Sequence, residues 1–361
     1  MYFVFFNQNN STPTLTNSFL PAQLEKPLPE APLPPLPKKF NAPAGSIFVP
    51  YWKVSSLREP YLPDTTQHSS VKNLIYFGVT PDENGALDKS EPGYTNIATF
   101  AQKTVGAQQK KLLTLRMMDE DVTEAILGNI AHQDNLIKET LALAEEYQFD
   151  GIALDLEHSV LPTKDVIQQI TTFMERTASK THEKHLIFAA TLYGDTFYRQ
   201  RPYDVQKIAS FSDQILIMAY DFHKSYGEPG PNFPLFKEKL YPYDFAEMIE
   251  DFTKIVPADK ITVLFGLFGY DWSVDDQNRP AKSAKSLSLD NIETTILARC
   301  NQIKCKKSRN ISTQEMNITY TETSGQRHSV WYEDSLSIQA KVSFLSTKNI
   351  HSIGYWAYGY Y

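Results

Sequence analysis

From Gly45 to the C-terminus, apolar stretches of strand length recur eight times, alternating with helical patterns. The strand candidates are Ser46–Trp52, Val71–Val79, Lys111–Arg116, the acidic stretch Phe149–His158, His185–Leu192, Gln214–Asp221, Ile261–Leu267 and Ile353–Tyr358. Helical spacing is read over residues 95–109, 121–147, 164–180, 202–209, 245–255 and 335–347. In the second of these, Ile130, Leu136, Leu141 and Ala144 share one face. Near-continuous apolar strands alternating with helices are the pattern of a parallel sheet covered on both faces. Eight such units predict an α/β fold, a (β/α)8 TIM barrel, with an open doubly wound sheet as the alternative. Residues 270–334 are too many for one crossover. Within them Ile318–Thr323 and His328–Tyr332 flank Ser324-Gly325-Gln326 and read as a hairpin, so a small α+β insertion is expected between the seventh and eighth strands.

Residues 1–44 stand apart. The first 20 or so are rich in Asn, Ser and Thr, a composition expected to be disordered, and residues 21–43 carry eight prolines, a polyproline-type spacer. The globular domain is therefore placed at 45–361. The 361-residue chain carries a formal charge of -7, which argues against a nucleic-acid partner, since a phosphate-binding surface needs clustered Lys and Arg. Cys300 and Cys305 have no second Cys or His pair nearby, which argues against zinc; a disulfide between them stays open. No stretch approaches the roughly 20 apolar residues of a membrane span, and no metal or other cofactor is expected. No G-x-G-x-x-G or P-loop follows an early strand, which sets aside a nucleotide-using enzyme.

The acidic strand carries the chemistry. Period-2 geometry puts Ile152, Leu154 and Leu156 on one face and Ala153, Asp155 and Glu157 on the other. Two carboxylates sharing one face repel, so their proximity calls for a reason; an exposed antiparallel strand with a solvated face is the bland one. In a barrel, functional residues gather at the C-terminal ends of the strands. Asp155 and Glu157 end the fourth strand, Tyr220 and Asp221 the sixth, Tyr51 and Trp52 the first, and Trp356 lies late in the eighth. The pattern brings these residues to one rim.

Asp150-Gly151-Ile152-Ala153-Leu154-Asp155-Leu156-Glu157 resembles the D-G-x-D-x-D-x-E signature of glycoside hydrolase family 18, which contains chitinases and related enzymes on a (β/α)8 barrel. Met218-Ala219-Tyr220-Asp221 is similar to that family's M-x-Y-D, and Trp356 to its tryptophan on the last strand. Tyr220-Asp221-Phe222-His223 with Ser225–Pro231, Gly266–Trp272 and His328–Asp334 resemble the spore-germination, cortical-fragment-lytic branch. The resemblance implies a glycosidase acting on β-linked N-acetylglucosamine-containing polysaccharide, chitin-like or peptidoglycan, by a substrate-assisted, retaining route. It implies Glu157 as general acid and base, Asp155 and Tyr220 on the substrate's acetamido group, and Trp356 as the floor under the sugar. Asp221 and Tyr51 are further candidates for sugar contacts. In two places the chain departs from the pattern. Ala153 replaces an acidic residue that in the family exchanges hydrogen bonds with the next Asp, and the third strand ends Thr114-Leu115-Arg116-Met117-Met118 in place of S-x-G-G.

The competing reading is a catalytically inactive, lectin-like member of the same fold, which retention of Glu157, Asp155 and Tyr220 disfavours. The partner expected is a polysaccharide, met by a monomer. A wall substrate implies an extracellular or cell-envelope location. Met1–Phe6 is too short for a signal-peptide core and has no basic flank, so the expectation is an export signal upstream of this chain.

Overall fold

The computed structural model describes residues 44–59, 61, 70–237 and 242–361. The N-terminal segment and the whole proline-rich stretch, residues 1–43, lie outside the described residues. Eight parallel strands close into a barrel: β1 (Ala44–Pro50), β2 (Ser70–Val79), β3 (Lys110–Met117), β4 (Gly151–Leu156), β5 (Ile187–Tyr193), β6 (Gln214–Ala219), β7 (Ile261–Gly266) and the last strand of the chain, Ser352–Trp356. Each strand pairs with its sequence neighbours, and the last closes the ring between β7 and β1. The barrel is the (β/α)8 architecture that the alternating pattern predicts; an open sheet is excluded.

The helices differ from the sequence reading at their joints. Residues 95–109 are not one helix: α1 (Pro92–Thr95) and α2 (Ile97–Lys103) meet at Asn96, and α1 starts on a proline, whose missing N–H costs nothing in a first turn. The long pattern over 121–147 also divides, into α3 (Glu120–Leu127) and α4 (Ile130–Glu146). The break is built by Asn129, whose side chain accepts from the Ala131 N–H and so starts a new helix. Then come α5 (Lys164–Glu183), α6 (Val205–Phe211) and α7 (Phe245–Thr253), whose N-cap residues Thr163, Asp204 and Asp244 each accept from a first-turn N–H.

Two apolar layers result. One lies between strands and helices and takes Ile152, Leu154 and Leu156 of β4; the other fills the barrel and takes Phe48, Ile75, Leu112, Ala153, Ala189, Leu216 and Leu264. The acidic strand is therefore fully inside, and its carboxylates face the barrel axis. Asp150 fixes where β4 begins: its carboxylate accepts from the Lys111 N–H at 2.7 Å and its carbonyl from the Ile187 N–H at 2.9 Å, pinning β3 and β5 to either side. Gly151 follows because a Cβ there would collide with the Ile187 carbonyl.

Between β7 and the last strand the chain builds a five-stranded antiparallel sheet from β8 (Phe268–Val274), β9 (Lys285–Ser288), β10 (Lys306–Arg309), β11 (Met316–Thr321) and β12 (Arg327–Tyr332), in the order β10-β11-β12-β8-β9. A short helical segment from α8 (Leu289–Asn291) to Arg299 lies between β9 and β10, and the disulfide Cys300–Cys305, with Cα atoms 4.9 Å apart, follows it. After the sheet, α9 (Ser335–Thr347) opens with a capping box between Asp334 and Ser337 and leads into β13, the closing strand.

A buried charge cluster ties this sheet to the barrel. The Lys341 ammonium on α9 pairs with Glu315 at 2.9 Å and with Glu333, and all three side chains are inaccessible to water. Glu315 also accepts from the backbone N–H groups of Asn232 (2.5 Å) and Phe233 (2.8 Å), and the Asn232 side-chain oxygen accepts from the Asp221 N–H at 2.8 Å. Burial pushes the Glu333 carboxyl up to about 8. The Lys341 cation thus lies between two buried carboxyl groups, and burial favours the protonated form of Glu333 near neutral pH. Truncating the cation leaves a buried carboxylate without compensation, a change that costs about 3–5 kcal/mol. Lys341→Met is expected to lower stability by that amount in urea denaturation, whereas Lys348→Met, at a more exposed ion pair with Glu250, is expected to change it by less than about 1 kcal/mol.

Candidate active site

The C-terminal rim of the barrel collects side chains from seven strands or the segments following them. Parallel register sets Thr114 opposite Ala153 and Arg116 opposite Asp155. On the other side, Thr191 of β5 donates to the Asp155 carboxylate and Tyr193 donates to Glu157 at 2.7 Å. Asp155 is 3% exposed, and Glu157, just past the end of β4, is partly buried. Glu157 is held by its backbone as well, its N–H bonding to the Met117 carbonyl at 2.9 Å.

Burial dominates the electrostatics. It raises the Asp155 carboxyl, opposed by the Thr191 hydrogen bond and the Arg116 charge. Burial, followed by repulsion from Asp155, pushes Glu157 up to about 8, against the Tyr193 hydrogen bond. Two carboxyls near each other in low dielectric titrate as a pair, and the member nearer the rim keeps its proton through neutral pH.

Tyr220 lies immediately after β6, partly buried, with its ring 5.8 Å from Phe268 of the inserted sheet. Burial, then Asp155 and Glu157, hold its phenol well above the usual tyrosine range, so it is a neutral hydrogen-bond donor. Asp221 follows in the left-handed region at φ 60° and accepts from Tyr270 of β8 at 2.7 Å. Burial raises its carboxyl too, opposed by the Tyr270 hydrogen bond. Trp356 ends β13 and joins Ala357 through a cis peptide. Its ring centroid lies 4.6 Å from Phe77, 5.7 Å from Phe48 and 6.3 Å from Trp52. This is an aromatic floor contributed by three strands and one turn.

Tyr51 and Trp52 do not end the first strand as the sequence suggests. β1 stops at Pro50, and both rings stand on a 3-10 turn, Tyr51–Ser56. Trp52 is 45% exposed over the rim, and Tyr51 lies beneath the Arg116 guanidinium, 5.3 Å from ring to carbon. All six sequence-predicted residues thus lie around one rim. The site has further contributors outside that set, Tyr193 and Asn232 among them. Tyr193 could have been found by alternation, since Ala189, Thr191 and Tyr193 share the inward face, but the apolar run was ended at Leu192. Its ring is covered by Arg201 at 4.0 Å, which Asp195 anchors through paired hydrogen bonds. Asn232, which orients Asp221, carries no sequence signal within its loop. Among the described residues, no group of three His, Cys, Asp or Glu side chains is placed to hold a metal ion, and no helix is long and apolar enough to cross a membrane.

Comparison with known proteins gives the same picture. The profile of glycosyl hydrolases family 18 matches residues 51–360. A cortical fragment-lytic enzyme of Bacillus anthracis is 25% identical over 298 residues, covering 79% of this chain and 64% of that enzyme, so the chain spans just under two thirds of its length. The crystal structure of the Bacillus cereus spore cortex-lytic enzyme SleL superposes with a TM-score of 0.71 at 22% identity, over 90% of this chain and 72% of that one. A Group IV chitinase of Ostrinia furnacalis gives 0.71 at 16% identity, over 87% and 92%. At these identities the structural likenesses establish the fold.

The raised Glu157 carboxyl has a consequence for stability. An unfolded chain loses this proton near 4.5, whereas the folded one keeps it to about 8. Across that window the unfolded state binds fewer protons, so the folded state loses stability as pH rises. Glu157→Gln has no proton to lose. Its thermal midpoint relative to the parent is expected to rise between pH 5 and pH 8 in parallel melts; Glu333 is common to both proteins and cancels.

Proposed function

The chain belongs to the glycosyl hydrolases of family 18, and on that premise we propose that it is a monomeric glycosidase that cleaves β-linked N-acetylglucosamine-containing polysaccharide, with peptidoglycan as its substrate class, by substrate-assisted retaining hydrolysis. The observation that carries this reading is Glu157: a carboxyl at the barrel rim that holds its proton near neutral pH, beside a second carboxyl that does not face it across a sugar. Retaining enzymes with two carboxylates keep them about 5 Å apart on opposite faces of the scissile bond. Asp155 lies on the same strand face as Glu157 and accepts a hydrogen bond from Thr191 deeper in the barrel, which suits it to orient a substrate group and not to attack.

Glu157 donates its proton to the glycosidic oxygen as that bond breaks. The substrate's own 2-acetamido oxygen forms the new bond to the anomeric carbon, giving a cyclic oxazolinium ion. Asp155 accepts from the acetamido N–H and offsets the positive charge. Tyr220 donates its phenol to the acetamido oxygen. The leaving sugar departs, water enters, and Glu157, now ionised, takes the water's proton as the water oxygen attacks the anomeric carbon and the bond from that carbon to the acetamido oxygen breaks, restoring the 2-acetamido group. Trp356 supplies the apolar face under the acetamido side of the ring, and Asp221 and Tyr51 meet neighbouring hydroxyls. The relatives named for spore cortex lysis favour peptidoglycan, and that substrate places the enzyme outside the cell or in its envelope. The Tyr193 hydrogen bond, which positions Glu157 and tunes its proton, would be superfluous in a lectin.

Glu157→Gln is expected to abolish hydrolysis, at least about 1,000-fold, with oligomer binding retained; undiminished turnover overturns the assignment. Products are read by mass spectrometry after incubation with purified peptidoglycan and with chitin oligomers. Because the acid must be protonated, kcat/KM falls as pH rises past about 8. Tyr193→Phe removes a donor that favours the ionised form and is expected to move that alkaline limb to higher pH.

A further inference from the structure

The Asp155 environment contains an imbalance that the proposed reaction does not by itself explain. Asp155 is buried, yet its role requires a negative charge, and among the described residues its side-chain donor is the neutral Thr191 hydroxyl. Below it on the same face, Ala153 offers no polar group, and the Thr114 hydroxyl facing Ala153 in register is buried without a hydrogen-bond partner. The groups around Asp155 are Glu157 on its own strand, Arg116 on β3, Thr191 and Tyr193 on β5, Tyr220 after β6 and Tyr203 ahead of α6. The phenols are neutral and Glu157 holds its proton; Lys224 acts on Glu157 and Asp221, while among the described residues one cation acts on Asp155.

That cation is Arg116. It is directly opposite Asp155 on the neighbouring strand, on the same inward face, where strands are about 4.8 Å apart. It is 9% exposed, its guanidinium carbon lies 4.9 Å from the Phe77 ring centre, and its Nε is buried with no hydrogen-bond partner among the described residues. Among the described residues its ion pair is with Glu91, long at 3.8 Å, and Glu91 is the more exposed partner. A buried guanidinium so weakly paired keeps much of its field for the next charge inward.

We propose that Arg116 is a positioning residue of this site, the counter-charge that keeps Asp155 ionised inside the barrel where position 153 supplies no polar neighbour. The proposal rests on the reading of Asp155 as the group that steadies the acetamido substituent. Arginine suits the position because it stays charged when buried and its flat face packs on Phe77 and Tyr51. The Arg116 charge already opposes the burial that raises Asp155, and a neighbouring opposite charge lowers a carboxyl's pKa by about 1–3.

The test follows the Asp155 carboxyl directly, by 13C NMR of protein labelled at aspartate, with Asp155→Asn to assign the signal. In Arg116→Met the titration midpoint is expected to rise by about one pH unit or more, and Arg116→Lys to bring it back toward the parent. In Glu91→Gln, which leaves Arg116 in place and removes its competing partner, the midpoint is expected to fall. An unchanged midpoint in Arg116→Met overturns the proposal; should that variant not fold, an unchanged or raised midpoint in Glu91→Gln does so. The acidic limb of kcat/KM is expected to follow the NMR midpoint in each variant. If the midpoint moves and the limb does not, Arg116 holds the charge as proposed and the role given to Asp155 in hydrolysis fails.

Discussion

Burial of two carboxyls on one face of β4 is the constraint on which the site depends. In water, Asp155 and Glu157 would both be ionised at neutral pH and neither could donate a proton. Inside the barrel, burial raises both, and the Asp155 charge raises Glu157 further. The deeper one is offered a hydrogen bond from Thr191 and a cation on the next strand; the outer one is offered a single phenol and retains its proton. The same two side chains would leave the rim if the strand slipped by one residue, because the alternation would then carry them into the apolar layer under the helices. Asp150 and Gly151 guard against this slip by fixing where β4 begins.

The inserted sheet completes the rim. Phe268 and Tyr270 of β8 pack toward Tyr220 and Asp221, and Trp272 donates to the Gly227 carbonyl at 2.9 Å in the loop after β6. Beneath, the chain of contacts from Lys341 through Glu315 and Asn232 ends on the Asp221 backbone. Buried charge of this kind contributes little net stability, since desolvation offsets the attraction. What it does provide is direction: the backbone N–H groups of Asn232 and Phe233 have one place to point, and the segment that presents Asp221 is fixed accordingly.

Much of the architecture was legible in the sequence because parallel strands buried on both faces read as apolar runs whose order needs no tertiary information. The hairpin of the inserted sheet was legible for the same local reason, with Gly325 at its turn. What could not be read depends on contacts between distant residues. The helix break at Asn129 turns on one side-chain cap inside a continuous apolar periodicity. The turn at Tyr51 turns on Pro50 ending a strand that the pattern carries two residues further. Tyr193 becomes visible once β5 is extended by one position. The Lys341, Glu315 and Glu333 cluster joins residues that look like ordinary surface charges. Arg116 looked like a change in the cleft wall, and only the register of β3 against β4 shows that it faces Asp155.

In the proposed reaction the substrate's acetamido group, not an enzyme carboxylate or a directly attacking water, meets the anomeric carbon first. Proton NMR of the earliest products from an N-acetylglucosamine oligomer tests it, before mutarotation scrambles the new reducing end. Two displacements at one carbon predict the β-anomer in excess, with no turnover of the oligomer whose acetamido groups have been removed. First appearance of the α-anomer, or hydrolysis of the deacetylated oligomer at an equal rate, would contradict the account.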